Sequence, residues 1–181
     1  MARTAARQLL LLRHAKSAWP DVADHERPLA PRGRRDAPLA GRWLRVAGQV
    51  PDRVVCSTAR RARQTWQLAA AELDASPRVS FDQRVYGAAA GELLELARET
   101  APKARTLLIV GHDPAMQQLT LALGSARAGD ADALERVRVK FPTAAIAVLE
   151  FTGTWQHLGP GQARLTNFVV PRDLRADAAE G

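Results

Sequence analysis

The chain has 181 residues, 46% of them hydrophobic and 25% charged, which suits one domain with a sizeable core and is too little for two. No apolar run approaches the roughly 20 residues that a bilayer requires, and Leu9–Leu12 is too short for a signal-peptide core, so neither a membrane partner nor export is expected. The net charge of +7 comes almost wholly from arginine, and the 5% aromatic residues do not alternate with it as a base-stacking surface would, which argues against nucleic acid as a partner.

The single cysteine, Cys56, excludes an intramolecular disulfide framework and fits a cytoplasmic location. Along the chain, short runs rich in Val, Ile and Leu predict strands at Gln8–Leu12, Arg53–Ser57, Arg78–Phe81 and Thr106–Gly111. Between and after them, helices are predicted over Arg32–Val46, Thr58–Leu73, Glu92–Glu99 and Pro114–Leu123. Pro31 and Gly33 punctuate the start of the first, and Pro114 suits a first helical position. The alternation predicts an α/β three-layer sandwich, with a mainly parallel central sheet and helices on both faces. Thr143–Phe151 and Ala163–Val170 are strand-like and joined through glycines, so they read as a hairpin or an edge addition. One domain spans 1–181, with its core at about 8–170 and a fraying polar tail after 171.

In open α/β sheets, ligands bind outside the carboxyl ends of the strands. The first strand ends in Arg13-His14, the second in Ser57 followed by arginines, and the fourth in Gly111-His112-Asp113. Two histidines with several arginines suit a tetrahedral anion. A guanidinium fork matches phosphate oxygens in pairs, and a neutral imidazole can attack phosphorus to form a covalent phosphohistidine. Flanking cations, a protonated second histidine among them, would steady the charge on the transferring group. This chemistry needs no metal and no cofactor.

"LLRHAKS", "CSTARRARQT" and "VGHDP" stand in order at three strand ends, and together they resemble the histidine phosphatase superfamily, the phosphoglycerate mutase-like fold. The short length, the RHA variant and "ERPLAPRGRRDA" point to its SixA-type branch of small phosphohistidine phosphatases. The resemblance implies His14 as nucleophile, Arg13 as its phosphate-binding neighbour and His112 as the second pocket histidine. The family's second arginine lies four residues after a serine and four before a threonine. Ser57, Arg61 and Thr65 meet that spacing, which selects Arg61 over Arg60 and Arg63. Ser17 is a further candidate for phosphate contact.

The proton donor is not assigned. Ester-cleaving relatives place an acid after the third strand, and here Asp82–Glu92 offers only its two end residues. An imidazole leaves readily, its conjugate acid having a pKa of roughly 6.5. An alkoxide lies nearer water, about 15.7, and needs a proton as it departs. The expected activity is therefore a phosphatase acting on protein phosphohistidine through a phosphohistidine intermediate. A phosphomonoesterase acting on a small phosphorylated metabolite is the alternative, and a non-catalytic phosphate-binding module is a third reading.

Other residues read as structural. Asp113 is expected to cap the helix that follows it. His25 lies in a solvated loop with Asp21, Asp24 and Glu26, and His157 in a surface turn. Cys56 is a buried strand residue, because the arginine of a cysteine phosphatase motif would fall on Ala62.

Overall fold

The computed structural model describes residues 5–125, 129–170 and 173. Six strands form one sheet: β1 (Arg7–Arg13), β2 (Arg53–Ser57), β3 (Arg78–Asp82), β4 (Thr106–Gly111), β5 (Ile146–Phe151) and β6 (Arg164–Val169). Five helices surround it: α1 (Pro31–Val46), α2 (Arg60–Ala70), α3 (Ala90–Arg98), α4 (Ala115–Leu123) and α5 (Ala131–Val139). The strand order is β3-β2-β4-β1-β5-β6. β1 to β4 pair in parallel, and β5 runs antiparallel to both β1 and β6. The sheet is mostly parallel, as expected, and the carboxyl-terminal hairpin extends it beside β1.

The four consecutive leucines are explained by burial on both faces of the sheet. Leu9 and Leu11 pack with Leu93, Met116, Leu119 and Leu134 of α3, α4 and α5. Leu10 and Leu12 pack on the other side with Ala40, Leu44 and Trp66 of α1 and α2. A strand covered by helices on both sides has no polar face, so its sequence does not alternate. Each fully buried leucine contributes about 2 kcal/mol.

Two glycines in α1 set how closely it approaches its neighbours. A Cβ on Gly33 would stand 2.1 Å from the carbonyl oxygen of Lys16, and one on Gly41 would stand 2.1 Å from that of Ala69 in α2. Gly33 thus lets the helix close against the chain just after β1, which explains its place in "ERPLAPRGRRDA".

α5 was not predicted. Its sequence, ADALERVRV, buries only Ala133, Leu134 and Val137 and carries charge elsewhere, so its apolar stripe is thin. α2 begins at Arg60 rather than Thr58, because Ser57 ends β2 and its Oγ accepts the Ala59 N–H in the turn that follows. The tail after 171 lies outside the described residues except for Asp173. Among the described residues, no helix is long and apolar enough to cross a membrane.

Candidate active site

β1, β2 and β4 run parallel, so their carboxyl ends open on one edge of the sheet. Just past the end of β1 stands His14, and just past β4 stands His112; their ring centroids are 5.1 Å apart. Ser57 ends β2, and its Oγ lies 2.8 Å from His112 Nε2. Arg61, in the first turn of α2, brings Nη2 within 3.5 Å of His112 Nδ1. Because the guanidinium only donates, His112 Nδ1 accepts and Nε2 carries the proton offered to Ser57. Arg13 donates to the carbonyl of Phe141 at 2.7 Å and lies 3.6 Å from Asp113 Oδ2. His14, Arg13, Arg61 and His112 therefore meet at one place.

His14 is almost fully buried. Its Nδ1 lies 2.7 Å from the Ala15 carbonyl, an acceptor only, so Nδ1 carries the proton. Burial holds its pKa down at about 3, and the cations Arg61 and Arg13 push the same way against the Ala15 bond. The ring is thus neutral at pH 7, with its free lone pair on Nε2. Burial, with Arg61 next, likewise lowers His112 to about 4. In the free site the second histidine is therefore neutral. A bound dianion would favour protonation.

Thr65 explains the serine–arginine–threonine spacing. Its hydroxyl accepts the backbone N–H of Ala15 at 2.9 Å and donates to the Arg61 carbonyl at 2.7 Å. It ties the loop after His14 to the helix carrying Arg61. Ser17 is placed differently from the cluster: its Oγ accepts from Arg27 Nη2.

Asp24 is the residue that the sequence did not single out. It begins a short 3-10 turn, Asp24–Glu26, in the loop before α1. Its carboxylate accepts from Arg27 at 2.9 Å, from Arg61 at 3.1 Å and from Tyr86 at 2.6 Å, and its carbonyl accepts from Arg61 Nη1 at 2.8 Å. Tyr86 and the arginines hold this carboxyl far below the usual range, so it is an anion at neutral pH. Tyr86 stacks edge-on against both His112 and His25. His25, expected in a solvated loop, instead sits at the rim of the site, 2.9 Å from Thr58 Oγ1. One acid among several in a polar loop carries no pattern that marks it.

Asp82 and Glu92 are not brought to the site. Asp82 is gripped by Arg84, which lowers its pKa and holds it as an anion, and Glu92 accepts the Ala89 backbone N–H at the start of α3. Asp113 does hold the start of α4, accepting from the Gln117 N–H at 3.2 Å, and it also pairs with Arg13. Cys56 is fully buried, its thiol pushed up to about 12 by that burial, so it is no nucleophile at neutral pH. His157 lies in a surface 3-10 turn, 2.7 Å from Thr154 Oγ1.

Two histidines and two arginines gathered at the carboxyl edge of a three-layer α/β sheet define an enzyme class that handles phosphoryl groups. The chain belongs to the histidine phosphatase superfamily, branch 1, whose family profile matches residues 9–103, a span holding His14 and Arg61. It is a phosphatase of the SixA-type branch. An uncharacterized protein of Mycobacterium tuberculosis is 50% identical over 162 residues, covering 89% of this chain and all of that one. A solved structure from Nakamurella multipartitia, assigned as the phosphohistidine phosphatase SixA, is 35% identical with a TM-score of 0.80, covering 92% of this chain and 97% of that one. One from Agrobacterium tumefaciens with the same assignment is 28% identical with a TM-score of 0.76, covering 91% and 98%.

Proposed function

We propose that this phosphatase removes the phosphoryl group from protein phosphohistidine, by way of a covalent phosphohistidine on His14. The observation that carries the reading is the state of His14: buried, neutral, Nδ1 tied to Ala15, Nε2 unprotonated with its lone pair free. Nε2 attacks phosphorus, the P–N bond to the substrate imidazole breaks, and that ring leaves neutral when its remote nitrogen already carries a proton. Water then attacks the enzyme phosphohistidine. A P–O bond forms, the P–N bond to His14 breaks, phosphate leaves and the imidazole is restored. Arg13, Arg61 and His112 hold the equatorial oxygens throughout, and His112 takes up a proton as the dianion arrives. Their charge is in place before the reaction, so little reorganisation is needed.

The placement of the acids supports a P–N substrate over an alkyl ester. Asp82 and Glu92 are engaged elsewhere, and Asp24 is held ionised by two arginines and Tyr86. Asp113, whose carboxyl pKa burial raises, is engaged by Arg13 and the Gln117 N–H. With each of these carboxyls committed, the site suits a leaving group that needs no proton from a carboxylic acid. The names of the Nakamurella and Agrobacterium relatives agree with this reading.

The test compares wild type and His14→Ala on a phosphohistidine-bearing protein and on a panel of phosphate monoesters. Rapid, His14-dependent loss of phosphohistidine with little ester turnover is expected. Ester turnover that dominates would move the substrate to small phosphorylated metabolites. Binding of a phosphate analogue without any turnover would leave a non-catalytic module.

A further inference from the structure

Beside the site lies a groove of about 650 Å³, between α2 and the edge strand β3. It is lined by Thr58, Arg60, Arg63, Trp66 and Phe81, among others. Phe81 is 53% exposed, although it is a large aromatic on a strand. Arg60 and Arg63 are both exposed, and no ion pair reaches either among the described residues. Glu26 feels the field of both arginines but pairs with His25. The groove adjoins the catalytic edge through Thr58, which bonds His25, whose ring meets Tyr86, which in turn meets His112.

This combination is selective. The groove sets an apolar wall, Trp66 and Phe81, beside two cations that no carboxylate of the described residues pairs. A small phosphorylated molecule held by His14, His112, Arg13 and Arg61 has no need of a second apolar groove. A second copy of the chain, itself at +7, is a poor electrostatic match for two arginines. An acidic protein segment bearing a bulky apolar side chain matches both features at once.

We infer that the groove between α2 and β3 docks an acidic, partly apolar segment of the phosphorylated protein, with Arg60 and Arg63 reading its carboxylates and Phe81 its apolar side chain. This rests on the phosphohistidine reading above and adds to it which proteins are served. The groove residues do not touch the reacting atoms, so docking lowers KM and leaves kcat nearly unchanged.

Two short phosphohistidine peptides test it, one flanked by Glu and Leu, the other by Lys and Ser, with phosphoramidate as a substrate that has no flanks. Wild type is expected to favour the acidic peptide by about tenfold in kcat/KM, the gain of two rim charge pairs and one apolar contact. Arg60→Glu/Arg63→Glu and, separately, Phe81→Ser are expected to abolish that preference through KM, while phosphoramidate turnover stays within about twofold. Equal treatment of the two peptides by wild type would overturn the proposal, and so would equal losses on peptide and phosphoramidate. Sedimentation that showed a dimer dissociated by the charge reversal would assign the groove to a second copy instead. Binding of fluorescent, unphosphorylated versions of both peptides reads the groove apart from the chemistry. If neither phosphopeptide nor phosphoramidate were turned over, the phosphohistidine reading would fail while the binding preference still judged the groove.

Discussion

The hydroxyl of Thr65 and the backbone N–H of Ala15 lie 2.9 Å apart, joining the helix that carries Arg61 to the residue after His14. Both groups are fully buried, so no water replaces the bond. Thr65→Val keeps the shape and leaves the Ala15 N–H unsatisfied, which costs about 1–3 kcal/mol. Urea unfolding should show that loss, with kcat reduced, and Thr65→Ser should recover most of both. A valine variant equal to wild type would remove the bridge from the account.

Asp24 and Tyr86 permit a spectroscopic test, because Tyr86 is the only tyrosine. Its hydroxyl donates to Asp24 at 2.6 Å, and that anion raises the tyrosine pKa above its ordinary value. Ultraviolet titration should place tyrosinate formation above about 10 in wild type and bring it back toward about 10 in Asp24→Asn. Arg61 loses its ionic partner in the same variant, so kcat should fall as the clamp loosens. An unchanged titration curve would contradict the contact.

Acid should destabilise the fold through the two pocket histidines. In the unfolded chain they bind protons with a pKa of about 6.5, but in the folded protein burial holds them at about 3 and about 4. Between those values the unfolded state binds more protons, so stability falls as pH drops from about 6.5 toward about 4 and below. At roughly 1.4 kcal/mol per pKa unit, the two shifts together correspond to a loss on the order of 8 kcal/mol. His14→Asn/His112→Asn should flatten this part of the stability profile, measured as denaturation midpoint against pH. A profile as steep as that of wild type would place the acid sensitivity elsewhere.

Gly33→Ala tests the approach of α1 to the loop after the nucleophile. The added carbon would meet backbone, the Lys16 carbonyl oxygen at 2.1 Å, rather than a side chain that can turn aside. Overpacking of this kind costs about 1–3 kcal/mol, visible as a lower thermal midpoint. Gly91→Ala, where nothing stands within 4 Å, is the matched control and should lose nothing.

Much of the site is legible in the sequence because strand ends in a parallel sheet share one edge. Four apolar residues running straight into Arg13-His14, and the apolar run ending at Gly111-His112, place those groups without any knowledge of packing. Arg61 follows from the spacing of its family motif, and the buried Thr65 hydroxyl shows why that spacing holds. Asp24 is not legible in this way, since it reaches Arg61 across 37 residues and its loop contains other acids. Asp82 and Glu92 look suitable from position alone, but the choice depends on which neighbour claims each carboxylate, and Arg84 and the Ala89 N–H do so. α5 was hidden by its charge, with its apolar face only one residue wide per turn.

The central claim is that phosphorus becomes bonded to His14 during turnover. Wild type and His14→Ala should be mixed with labelled phosphoramidate, quenched in alkali within the first turnover and mapped by mass spectrometry. The account predicts an acid-labile, alkali-stable phosphoryl group on the peptide containing His14 in wild type, and none on the variant, whose turnover is lost. A labelled phosphoenzyme in His14→Ala, or undiminished turnover by it, would contradict the account.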